Sequence, residues 1–202
     1  MRLRRAEAAA AALFFIAGLL GGACSWAQEP AADWSLETLM RDLGQIRSSK
    51  ARFVERKYLK VLNAPLELRG TLTYVAPGNL EKRTLSPKPE TLTVEGDRLT
   101  IESAARNEHR TLRLQDYPVL WAFVESIRST LSGDIQALER FYRIELEGGP
   151  VQWRLYLVPR DKEMRTVISL IRIGGSRDRV DRIEVHEANG DRSVMKVYEE
   201  HR

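Results

Sequence analysis

Ser193-Val194-Met195-Lys196 has the spacing of a serine nucleophile and its lysine base, the pattern of certain acyl-transfer enzymes. That chemistry needs a helix, which sets residues three apart on one side. Here the segment alternates as a strand, and residues three apart point to opposite faces. His109, His186 and His201 are isolated, with no His, Cys or carboxylate partner at a ligand spacing, so no zinc site is expected. His186 shares a strand face with Arg182 and Glu184, which reads as a solvated face. Gly174-Gly175-Ser176 reads as a plain loop, and no Gly-x-Ser-x-Gly, GxGxxG or phosphate-binding glycine loop occurs. No catalytic residue, metal or cofactor is expected.

Lys82 poses a different question. It lies two residues after Leu80 and two before Thr84, on whichever face Leu80 takes. Pro87 and Pro89 then interrupt the chain before Leu92 and Val94 resume the alternation. A wholly buried, unpaired lysine is disfavoured on cost. Two readings stand: the ammonium reaches water along its own methylene stem near a sheet edge, or it meets an anionic head group at the mouth of a hollow.

The elements around these residues follow from periodicity. Leu36, Leu39, Met40, Leu43 and Ile46 recur at helical spacing and predict a helix over 35–46, with Asp33 or Ser35 as N-cap. From Ala51 the period becomes two. Eleven strands are predicted, at about 51–58, 66–75, 80–86, 90–95, 98–103, 109–115, 141–147, 151–158, 165–173, 179–187 and 192–199. Gly96-Asp97, Gly148-Gly149-Pro150 and Asn189-Gly190 supply tight turns. Between the sixth and seventh strands Pro118 opens a helix and Gly133 closes it, and Asp134 caps a shorter one to about Arg140. Short connections imply an antiparallel meander. A sheet this wide curls, and its inner apolar face needs the helices at 35–46 and 118–140 as covers.

Residues 1–27 read as a secretory signal peptide: Arg2, Arg4 and Arg5, then an apolar run from Ala8 to Leu20, then Ser25-Trp26-Ala27 as a small-x-small cleavage site. Lipid modification of Cys24, the only cysteine, would call for Leu three residues earlier, where Gly21 stands. Cleavage after Ala27 leaves 28–202 as a single exported domain with no disulfide. The leader's three arginines and one glutamate carry half of the chain's net charge of +4. The remaining charges are interspersed in sign, which argues against nucleic acid.

The order of elements, with three short motifs, resembles the LolA family of periplasmic lipoprotein carriers. The motifs are Ser48-Ser49-x-Ala51-x-Phe53; Gly70-x-Leu72-x-Tyr74 followed by Pro77-x-x-Leu80; and Val94-Glu95-Gly96-Asp97-x-Leu99. The resemblance implies an unclosed, eleven-stranded antiparallel half-barrel with a helical lid. It also implies acyl binding between sheet and lid, and transfer of cargo from an inner-membrane donor to an outer-membrane acceptor, without catalysis or cofactor. Family carriers show Arg-Pro-x-x-Phe-x-Trp where this chain has Ala76, Pro77, Leu80 and Lys82. The chain therefore looks closer to a LolA-related branch, associated with aryl-polyene and other acylated-lipid pathways, than to LolA itself.

Alternation nominates a lining for the hollow: Leu72, Tyr74, Leu80, Lys82, Leu92, Val94, Leu99, Ile101, Leu112, Leu114, Trp153, Leu155, Leu157, Ile183 and Val185, with Trp121, Phe123, Val124 and Ile127 from the lid. The function expected is a periplasmic carrier or chaperone, a monomer that holds the acyl chains of a lipoprotein or other acylated lipid. The alternative is an envelope sensor or scaffold of the same fold that binds a protein partner.

Overall fold

The computed structural model of the chain describes residues 34–199, so the leader read over 1–27, with Cys24, and His201 fall outside the described residues. Eleven strands run in chain order: β1 (Ser48–Tyr58), β2 (Leu66–Val75), β3 (Asn79–Ser86), β4 (Glu90–Glu95), β5 (Arg98–Ser103), β6 (Glu108–Arg113), β7 (Tyr142–Gly149), β8 (Gln152–Pro159), β9 (Ile168–Ser176), β10 (Arg179–Glu187) and β11 (Arg192–Glu199). They form one sheet ordered β6-β5-β4-β3-β2-β1-β11-β10-β9-β8-β7. Every neighbouring pair is antiparallel. Two meanders thus meet where β1 pairs with β11, from Ala51 opposite Glu199 to Tyr58 opposite Arg192. The edge strands β6 and β7 do not close on each other. They are consecutive in the chain, so the segment joining them must cross the sheet's whole width.

That segment is helical. α2 (Pro118–Ser132) begins with proline at its first turn, where a missing N–H costs nothing. It ends at Gly133 (φ +73°), where a Cβ would lie 2.2 Å from the Met40 carbonyl oxygen. Glycine there lets α2 close against α1 (Leu36–Leu43), which Ser35 caps by accepting the Thr38 N–H. Asp134 caps α3 (Ile135–Phe141) through the Ala137 N–H at 2.8 Å. Several boundaries differ from expectation: α1 stops at Leu43, β1 already starts at Ser48, and Gly174, Gly175 and Ser176 are not a loop but the end of β9, where Gly175 makes room for the Trp153 ring (a Cβ would lie 2.4 Å from its Cζ2). Residues 165–167 belong to α4 (Lys162–Val167), because Asp161 accepts the Met164 N–H and starts a helical turn before β9. Leu114 leaves β6 for a 3-10 turn, Leu114–Asp116, which aims the chain into α2.

The inner face packs in two separate places. On one flank Trp153, Leu155, Leu157, Ile171 and Ile173 lie under Leu39, Met40 and Leu43 of α1, Ala122 of α2 and Leu138 of α3. The buried Tyr142 hydroxyl donates to the Ala122 carbonyl at 2.9 Å and pins α2 there. On the other flank Val94, Leu99 and Leu114 meet Val124, with Leu92, Ile101, Leu112, Leu120 and Trp121 around them. The centre of the sheet lies between these clusters.

The outer face is stiffened by ions. Glu184, 5% exposed, accepts from Arg182 Nε at 2.5 Å and Arg172 Nη1 at 3.1 Å, with His186 Nε2 at 3.4 Å. Burial alone would raise its carboxyl. The hydrogen bond and charge of Arg182, then Arg172 and His186, outweigh burial and hold the carboxyl below its ordinary value of 4.5. Such a group stabilises the fold fully above its unfolded pKa and loses that contribution as pH falls through the lowered folded value. Glu184→Gln is expected to cost about 2 kcal/mol at pH 7 in urea unfolding. The gap to the parent protein should narrow below about pH 4. A gap of the same size at pH 3 and pH 7 contradicts the assignment.

Candidate functional site

Between the two packed flanks lies a cavity of about 540 Å³. Its floor is the middle of the sheet, from β5 through β1 to β10. Its roof is one stripe of α2, Leu120, Phe123, Val124, Ile127 and Leu131, with Leu43 and Ile46 from α1 and the turn after it. Helical spacing explains the stripe, since residues three and four apart share a face.

Of the residues nominated by alternation, Leu72, Tyr74, Leu80, Lys82, Leu92, Val94, Leu99, Phe123, Val124, Ile127, Ile183 and Val185 border this space. Ile101, Leu112, Leu114 and Trp121 do not: they fill the flank beneath the start of α2. Nor do Trp153, Leu155 and Leu157, each 0% exposed beneath α1 and α3. Alternation tells which face a residue takes, but not whether a helix already sits on it. The lining also includes residues that the same alternation could have found: Ala51, Glu55 and Lys57 on β1, and Ser193, Met195 and Val197 on β11.

The lining is mainly apolar, and Glu55, Lys57 and Lys82 form its one cluster of paired charges among the described residues. Lys82 Nζ lies 2.5 Å from Glu55 Oε2 and 5.1 Å above the Phe53 ring. Lys57 Nζ lies 3.8 Å from Glu55 Oε1. Lys82 is thus neither at the sheet edge nor unpaired; it leans along the inner face to a carboxylate two strands away. Phe53 fits between them because Gly70 has no side chain: a Cβ there would lie 2.9 Å from Phe53 Cε1 and 1.9 Å from the Arg83 carbonyl oxygen. The buried Tyr74 hydroxyl has no hydrogen-bond partner among the described residues, and burial raises its pKa against the pull of Arg47 and Arg128.

Arg128 fastens the roof. Its Nη1 donates to the Gly96 carbonyl in the β4–β5 turn at 2.8 Å, and it pairs with Glu125 at 3.2 Å. Gly78 in the β2–β3 turn lies so close that a Cβ would sit 2.7 Å from Arg128 Nε. One guanidinium therefore ties α2 to the β4–β5 hairpin tip and lies against the β2–β3 tip.

The remaining candidates have no catalytic geometry. Ser193 borders the hollow, whereas Lys196 is exposed on the opposite face of β11. His109 and Glu102 pair on the surface at 3.2 Å. Among the described residues no group of three or more His, Cys, Asp or Glu could hold a metal ion, and no helix is long and apolar enough to cross a membrane. A second cleft of about 370 Å³ on the outer face is bordered by Arg154, Tyr156, Arg172, Arg182 and Glu184.

The family model described as outer membrane lipoprotein carrier protein LolA-like matches residues 27–196. The chain belongs to the LolA-like family. A comparison with curated protein sequences finds none that matches. Among solved structures, this LolA-like chain is similar to a LolA superfamily protein from Nitrosomonas europaea (11% identity, 81% of this chain and 91% of that one, TM-score 0.44). It is also similar to a DUF1329 family protein from Desulfovibrio piger (12%, 80% and 88%, 0.42). A third likeness is to a chain of the Pseudomonas aeruginosa MucA/MucB complex (15%, 80% and 53%, 0.43). The unclosed sheet with helices on one face is the LolA-like fold.

Arg128→Ala should loosen the roof without unfolding the sheet. Backbone amides of α2 and of the β4–β5 turn are expected to exchange about tenfold faster in hydrogen–deuterium exchange, the scale of one charge-assisted hydrogen bond. Amides of β8 and β9 should be unaffected. Unchanged exchange in α2 would show that the guanidinium is not a fastening.

Proposed function

We propose that this LolA-like protein is a periplasmic carrier that holds an acyl chain in the central hollow while its cargo moves from the inner to the outer membrane. One observation carries the reading: an apolar space of about 540 Å³ stays open between two solidly packed flanks of one sheet. That volume falls in the ordinary range of small-molecule sites, roughly 300–1,000 Å³. Each methylene taken from water contributes about 0.8 kcal/mol, so a long alkyl chain gains on the order of 10 kcal/mol before ordering costs. Nothing else is needed to hold it, and the reading requires neither catalysis nor cofactor. Handing the chain on requires that α2 lift from the centre, against its Arg128 and Tyr142 hydrogen bonds. An inner-membrane donor protein delivers the tail and an outer-membrane acceptor protein takes it up. The lipoprotein itself, or another acylated lipid, supplies the tail.

The test is displacement of a fluorescent fatty acid. The parent protein is expected to bind one equivalent of palmitate. Leu72→Trp places an indole in the open centre, where extra volume meets no packed neighbour, so overpacking strain of about 1–3 kcal/mol is avoided. The variant should fold with an unchanged melting temperature and bind palmitate at least tenfold more weakly. Equal affinities in the two proteins would remove the hollow as the acyl site.

A further inference from the structure

Resting on the reading of the hollow as an acyl site, we infer that the Lys57–Glu55–Lys82 cluster seats an anionic head group, a phosphate or a carboxylate, next to the bound tail. The Glu55 side chain is 5% exposed on a mainly apolar face. Lys82, 24% exposed, makes the close contact with it. Lys57, 40% exposed, stands 3.8 Å from the other oxygen, beyond hydrogen-bond distance. Two ammoniums thus share one carboxylate, and the second lacks a hydrogen-bonded counter-charge.

For the fold alone such a cluster is a poor choice. Desolvating charges is costly, and apolar residues of similar volume would serve a plain hydrocarbon hollow as well or better. Its place along the sheet suits a head group. Ala51, Leu72 and Met195 line the middle of the floor, whereas Lys57 and Leu59 lie toward the end of β1. At that end Arg192 turns to the outer side and stacks on the Tyr58 ring at 4.4 Å, and Asn189 donates to both Glu187 and Asp191. Around Glu55 itself the two ammoniums of Lys57 and Lys82 face one carboxylate. The other acids at the cavity wall are placed elsewhere: Glu81 pairs with Arg83 at 3.6 Å, and Asp178 lies in the β9–β10 turn at the opposite end. An anion entering beside Lys57 completes the cluster, and a charge-assisted hydrogen bond in this half-dry setting is the strong kind.

The experiment measures displacement of the same fluorescent probe by hexadecyl phosphate, palmitate, hexadecanol and inorganic phosphate. The parent protein should bind the two anionic amphiphiles about tenfold more tightly than hexadecanol. The stronger of the two identifies the head group as phosphate or carboxylate. Lys57→Met should remove most of that preference. Glu55→Gln frees both ammoniums and should strengthen anionic binding, a gain that no loss of folding can imitate. Hexadecanol binding as tightly as the anions, or variants that shift all three amphiphiles together, overturns the inference and leaves the hollow intact. Inorganic phosphate competing as well as hexadecyl phosphate overturns it in favour of a free-anion site. Failure of every amphiphile, hexadecanol included, removes the hollow reading and the head-group site with it.

Discussion

Edge strands that follow one another in the chain but lie at opposite ends of the sheet impose one constraint on everything else: the segment between β6 and β7 must bridge the inner face. Because that segment is mainly α2 and α3, it lands on both flanks and spans the middle. Ala122 and the Tyr142 hydroxyl anchor it on the β7–β10 side, and Leu120, Trp121 and Val124 anchor it on the β4–β6 side. These contacts come from neighbouring turns of α2, residues 120–124, so the two flanks hold the helix from either side, and its apolar stripe from Leu120 to Leu131 roofs the hollow.

An unfilled apolar space is costly, since its lining loses contacts on one side. It persists where the walls cannot relax inward. Each strand of this floor is hydrogen-bonded on both sides, and β1 is paired along nearly its whole length with β2 and β11. Across the outer face Arg172 and Arg182 converge on Glu184 and brace β9 against β10. On the roof Arg128 fixes α2 to the rim rather than to the floor. The charged cluster of Glu55, Lys57 and Lys82 adds to this, because ammoniums resist being pressed into a dry core. A stiff floor, a fastened roof and a polar point on the wall together keep the space open.

Much of this was legible in the sequence, and what was not has definite causes. Alternation and turn chemistry placed β2, β5, β10 and β11 at their observed bounds, and Pro118, Gly133 and Asp134 marked the helices. Periodicity does not show α4, because Val167 and Ile168 read on into β9. Alternation nominates Trp153, Leu155 and Leu157 as lining because period two reports a face and not what covers it. Lys82 looked anomalous because its partner, Glu55, lies on a strand two positions away and several residues off register. No local pattern pairs them; the width of Gly70 and the lean of one long side chain do.

The central claim is that the middle of the inner face stays open and accepts a hydrocarbon chain while both flanks remain packed. A crystal structure determined with a bound long-chain alkyl amphiphile tests it most directly. The account predicts an alkyl chain between Leu72 and Met195 below and Phe123 and Ile127 above, with Trp153 and Leu155 unmoved beneath α1. An α2 collapsed onto Leu72 with no space beneath it, or a ligand seated only on the outer face, would contradict it.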